Sequence, residues 1–127
     1  MRWVTPARML FRIVNDDMEY QGKRLRANDW LIASLTSANK DERQFPDPER
    51  LDITREPNEH LSLGTGIHTC LGRALVRLEL SIFFGKLFAA YPDLEAMVDG
   101  EPDWIPDIQS CGLASLPVRT NRRTAAA

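Results

Sequence analysis

The 127-residue chain is poor in the residues that usually announce a site: it has two cysteines and two histidines. Cys70 and Cys111 are too few for a disulfide framework, which leaves each as a free thiol or a ligand. A structural zinc site wants four ligands, and no second Cys or His stands at ligand spacing beside Cys70. An excess of one charge is missing too. Sixteen Lys and Arg stand against eighteen Asp and Glu, a formal charge of -2, so there is no global basic field for nucleic acid or an anionic membrane. No segment reaches the ~18 apolar residues of a membrane span. The opening "MRWVTPARMLFRIV" has charges and a proline where a signal peptide needs an unbroken apolar core. The expectation is a cytoplasmic protein with no nucleic-acid and no membrane partner.

What is present is a soluble composition, 43% hydrophobic and 27% charged, at the length of one modest domain. Short apolar bursts broken by Asn15-Asp16-Asp17, Gly22 and Asn28-Asp29 predict strands near Met18–Tyr20, Lys23–Leu25 and Trp30–Ala33, forming a small hairpin-like sheet. Asn39 to Glu59, with three prolines and many charges, predicts a long irregular segment of the kind that is usually functional. Leu71 to Tyr91 is the one strong helix. Leu71, Leu75, Leu78, Ile82 and Phe83 form a stripe, and Leu80, Phe84, Leu87 and Phe88 spread apolar surface around most of the circumference. Pro92 and Asp93 stop it, and Trp104–Ile108 and Leu113–Val118 offer short strands. Such a helix calls for burial on nearly all sides, more than these few elements supply.

The stretch "LSLGTGIHTCLGRAL", Leu61 to Leu75, sets Cys70 among glycines directly ahead of that helix. Gly64, Gly66 and Gly72 permit positive φ and let the main chain approach a flat object closely. A helix N-terminus favours an anion, which suits a thiolate acting as nucleophile or metal ligand. The bland alternative is a small buried apolar residue, and for Cys111, with one neighbouring glycine, that reading stands. A phosphatase-type phosphate loop fails twice: His68 lies two residues before Cys70, and the sixth residue after it is Val76. A single axial thiolate beneath a planar metal cofactor is what is left.

At this point the stretch resembles the haem-thiolate monooxygenases of the cytochrome P-450 family. Their loop reads Phe-x-x-Gly-x-His/Arg-x-Cys-x-Gly, and Leu63, Gly66, His68, Cys70 and Gly72 fall on its fixed positions, with leucine in place of phenylalanine. The resemblance implies that Cys70 is the proximal iron ligand of haem b. It makes His68 a propionate contact and Leu71–Tyr91 the helix beneath the haem, with Gly64, Gly66, Gly72 and Leu63 around the cofactor. "FRIVNDDMEYQG" is similar to the family strand whose arginine, here Arg12, binds a propionate. "SANKDERQFPDPERLDITR" is similar to the family's meander, in which Arg50 joins a Glu-x-x-Arg pair whose arginine would be Arg2. Leu63 keeps the site apolar with less bulk beside the sulfur, and Val76 stands for a usual alanine.

The family's usual chain is several times longer, so the resemblance also implies a truncated chain without the oxygen-activating helix. The expected fold is α+β, the C-terminal part of the mainly α P-450 fold. It would comprise a small antiparallel sheet, an irregular meander, the Cys-ligand loop, one long buried helix and short C-terminal strands. Residues 1–118 would form that haem-binding portion and 119–127 a disordered tail. Three functional readings follow: a monooxygenase of an organic substrate fed by a ferredoxin or similar donor, met at Arg73 and Arg77; a catalytically inactive fragment; or a haem-binding sensor without turnover.

Overall fold

In a computed structural model, described for residues 1–120, the chain divides into two units, 1–62 with 106–111, and 63–105 with 112 onward. In the first unit, β1 (Met9–Ile13) pairs antiparallel with β4 (Trp30–Ser34), Phe11 opposite Ile32 and Arg12 opposite Leu31. Between them β2 (Met18–Tyr20) and β3 (Lys23–Leu25) form a separate hairpin. Its two turn residues, Gln21 and Gly22, have φ of 51° and 73°, the left-handed pair that matches strand twist in a tight hairpin. The third expected strand therefore does not extend the hairpin. Asn28, at φ 71°, turns the chain, and the Val14 and Asn28 amides exchange bonds with the Asp29 and Val14 carbonyls, delivering β4 to β1.

A short helix α1 (Leu35–Ala38), capped by the Ser34 hydroxyl on the Ser37 amide, leads into the meander. From Asn39 to Glu59 there are only turns and bends, as the proline and charge content predicts. The unit's buried apolar side chains are few: Val14, Leu35 and Phe45. Polar groups supply much of the cohesion. Asn39 is fully buried; its Nδ2 donates to Thr5 Oγ1 and Ser62 Oγ, both at 2.9 Å, and its Oδ1 accepts from the Leu61 amide at 2.8 Å.

Arg2, also buried, donates to the carbonyls of Asn39 at 2.9 Å, Pro48 at 3.1 Å and Arg50 at 3.4 Å, over the Phe45 ring. Burial, and next the charge of Arg55, lower its pKa. The expected Arg2–Arg50 association thus runs through the Arg50 carbonyl, while the Arg50 side chain is exposed. Residues 106–111 join the unit through the Arg8 amide on the Gln109 carbonyl and the Cys111 amide on the Pro6 carbonyl, both at 2.7 Å.

In the second unit a 3₁₀ turn, Gly66–His68, precedes α2 (Arg73–Ala90), which ends where the Tyr91 amide bonds the Leu87 carbonyl ahead of Pro92. The helix is where the periodicity puts it, but none of its residues is buried: Leu75, Leu78 and Phe83 are each more than half exposed. The expected strands at Trp104–Ile108 and Leu113–Val118 shrink to one bridge, Trp104 opposite Leu113. Pro102, Pro106 and Pro117 have no N–H to extend a ladder. The strand that does form, β6 (Val118–Arg119), pairs with β5 (Glu95–Ala96), so Arg119 is sheet residue rather than tail. Residues 121–127 of the expected tail lie outside the described residues.

Two outcomes follow from the first unit. Replacing Asn39 by Ala strips the Thr5 and Ser62 hydroxyls and the Leu61 amide of a buried partner. The cost expected is about 2–4 kcal/mol, read as a lower urea midpoint at unchanged slope. The second concerns Asp41, whose carboxylate receives the Arg43 Nε at 2.9 Å and Nη2 at 2.6 Å, then the Arg43 amide at 3.0 Å. The side-chain bond first and the amide next hold its pKa near 2, down from 3.8. Because the folded value is the lower one, any stabilisation is complete above pH 3.8 and is lost as pH falls through about 2. Carboxyl-carbon NMR titration should give that midpoint, and Arg43→Ala should return it toward 3.8.

Candidate functional site

The cysteine loop is closed by its own backbone. The Cys70 amide donates to the Leu63 carbonyl at 2.8 Å, joining the ends of an eight-residue segment. Inside it the chain winds one 3₁₀ turn: the His68 amide bonds the Thr65 carbonyl at 3.1 Å and the Thr69 amide the Gly66 carbonyl at 3.1 Å. The Thr69 hydroxyl donates to that same Gly66 oxygen at 2.9 Å. Gly64 and Gly66 have φ of 69° and 57°, the left-handed region that glycine enters without strain. Gly72, at φ -79°, needs no such freedom; a Cβ there would stand 3.9 Å from Cys70 Sγ, an ordinary contact.

Past the loop the Cys70 carbonyl accepts the Arg73 amide at 3.0 Å and the Gly72 carbonyl accepts the Val76 amide at 2.9 Å, so the cysteine leads straight into α2. No side chain caps the helix. Cys70 is exposed, as is His68 at the end of the 3₁₀ turn. Ile67 and Leu71, three before and one after the cysteine, are fully exposed apolar side chains. An exposed thiol flanked by bare apolar groups, on a loop with two glycines in left-handed conformations, suits a flat apolar group with a metal at its centre. A soft thiolate is a fitting axial donor for it.

Leu63, Gly64, Gly66, His68, Cys70 and Gly72 thus belong to one continuous segment of the second unit. Arg73 and Arg77 are exposed, one turn apart on α2, and neither forms an ion pair among the described residues. Arg12 lies in β1 of the first unit, exposed, its Nη1 donating to the Phe11 carbonyl at 2.8 Å. The sequence reading missed two contributors. One is the Leu63 carbonyl, which no residue-type pattern can reveal. The other is Thr69, whose hydroxyl three residues after a glycine carbonyl is a local turn signal. Cys111 is half-buried, with Arg8 Nη2 3.5 Å from its sulfur. No group of three or more His, Cys, Asp or Glu side chains placed to hold a metal ion occurs among the described residues. Nor is any described helix long and apolar enough to cross a membrane.

The family model for cytochrome P450 matches residues 1–118. The cytochrome P450 CYP107DY1 of Priestia megaterium is 40% identical over 118 residues, which is 93% of this chain and 29% of that protein. The steroid C26-monooxygenase of Mycobacterium tuberculosis is 37% identical over 122 residues, 93% of this chain and 32% of the relative. Among solved structures, CYP109E1 from Bacillus megaterium in complex with testosterone superposes with a TM-score of 0.87 at 37% identity, covering 94% of this chain and 33% of that one. The chain therefore spans about a third of the length of the proteins it matches.

The difference in exposure between the two thiols gives a direct test. Iodoacetamide should alkylate Cys70 well ahead of Cys111 in the haem-free chain, as peptide mass spectrometry would show. Added haem should slow Cys70 and leave Cys111 unchanged.

Proposed function

The chain belongs to the cytochrome P450 family, whose cofactor is haem b, and from that we propose that its Cys70 loop ligates haem iron for oxygenation of a small organic substrate. The observation that carries this reading is the self-closed loop that presents an exposed thiol between Ile67 and Leu71. Haem, when bound, supplies the iron at which dioxygen is activated, and a thiolate ligand favours O–O cleavage.

The chain's own residues would divide the remaining work. Cys70 donates the sulfur, and Leu63, Ile67 and Leu71 offer apolar surface that limits water near it. His68 and Arg12 provide donors for the two propionates, Arg12 through a forked, permanently charged guanidinium. Gly64, Gly66 and Gly72 keep side chains out of the way. Arg73 and Arg77 form a small cationic patch suited to an acidic electron donor of the ferredoxin kind, in a cytoplasmic setting. Support for a donor there is the pair's freedom from ion pairing among the described residues.

A second reading, haem binding without turnover, is favoured by α2. With none of its residues buried, the helix offers a second apolar surface for the macrocycle. The two readings share the ligand and part at product formation.

The test is the ultraviolet-visible spectrum of the purified chain with haem, reduced and exposed to carbon monoxide, beside Cys70→Ser. A strongly red-shifted Soret band in the parent chain that disappears in the variant is expected. A band like that of free haem in both would refute ligation by Cys70. Product formation with a ferredoxin couple, lowered by Arg73→Glu/Arg77→Glu, would separate turnover from simple binding.

A further inference from the structure

One stripe of α2 carries its charges in an order that a single chain does not use. Leu75, Glu79, Ile82, Phe83, Lys86 and Ala90 recur at helical spacing and share one side of the helix. An open apolar groove of about 560 Å³ lies along it, lined by Glu79, Ile82, Phe83 and Lys86 among others. Leu75, Ile82 and Phe83 are each about half exposed. Glu79 and Lys86 are exposed too, and neither forms an ion pair among the described residues. Seven positions of helix put them about 10.5 Å apart along the axis, too far to pair within one chain.

We propose that this stripe is the docking surface for a second copy of the chain, the two α2 helices lying antiparallel about a two-fold axis between Ile82 and Phe83. In that register Glu79 of each copy faces Lys86 of the other, Ile82 faces Phe83, and Leu75 faces Ala90. Every charge meets its opposite and every apolar group an apolar one, the self-complementarity that a closed two-fold interface requires. A parallel pair would set Glu79 against Glu79 and Lys86 against Lys86, which like charges oppose. The axis falls within a residue of the centre of Arg73–Ala90, so the helices overlap along nearly their whole length. Leu80, Phe84 and Phe88 lie on the opposite side of the helix and stay free. The proposal is independent of iron ligation by Cys70 and is tested without haem.

The test is sedimentation velocity of the haem-free full chain at low salt and micromolar concentration, where the parent should run as a dimer. Glu79→Lys alone and Lys86→Glu alone each set like charges across the axis, and each should weaken the dimer about a hundredfold or more. An equal mixture of the two variants brings opposite charges together again, as does the exchanged Glu79→Lys/Lys86→Glu chain, and both should return to the parent's dimer. Rescue on mixing also shows that the single variants are folded. A parent chain that stays monomeric overturns the proposal and leaves the stripe to a different polypeptide. Open-ended aggregates, single variants that pair like the parent, or a mixture that stays monomeric overturn it as well.

Discussion

The constraint on which the first unit depends is the burial of one neutral amide. With only Val14, Leu35 and Phe45 buried among its apolar side chains, the unit has little hydrophobic cohesion to spend. Asn39 fills that gap, because a buried amide with its hydrogen-bonding groups matched fixes its neighbours to within a bond length. It bonds residues far away in both chain directions, Thr5 on one side and Leu61 and Ser62 on the other. Arg2 then uses the Asn39 carbonyl as one of its acceptors. The guanidinium stays charged although buried because several carbonyls replace the water it has lost.

The second unit works on a different principle. The cysteine is oriented by a short circuit of backbone hydrogen bonds, Cys70 to Leu63 outside and His68 and Thr69 to Thr65 and Gly66 inside. A loop built this way holds its shape locally. That explains how a thiol can be exposed and still have a defined position: the bond that orients Cys70 lies on its amide, and the sulfur is left free for another partner.

Much of this was legible in the sequence, for reasons that differ by element. The α2 helix was readable because its apolar residues recur at helical spacing over eighteen residues without a proline, and the β2–β3 hairpin because Gly22 marks the turn. The partner of β4 was not, since strand pairing depends on how Asn28 and Asp29 redirect the chain, a geometric outcome with no periodic signature. The C-terminal strands are shorter than their apolar content predicts, a bridge at Trp104 and Leu113 and Val118 in β6, because prolines deny the ladder its donors. At the site, residue types placed Cys70, His68 and the glycines, whereas the part of the Leu63 carbonyl exists only in three dimensions.

Loop geometry and apolar contact area therefore have different origins in this chain. The Cys70 amide is held by backbone atoms between Leu63 and Cys70. Affinity for a macrocycle scales with apolar area removed from water, roughly 25 cal/mol per Å², and one loop can cover only part of one face. The proteins this chain matches are about three times its length. A thiolate site whose geometry is self-contained and whose cofactor affinity depends on added surface can be tuned in one respect without disturbing the other. Substitutions on the Leu75, Leu78 and Phe83 face act on exposed apolar surface, and those at Gly64 act on the backbone of the cysteine loop.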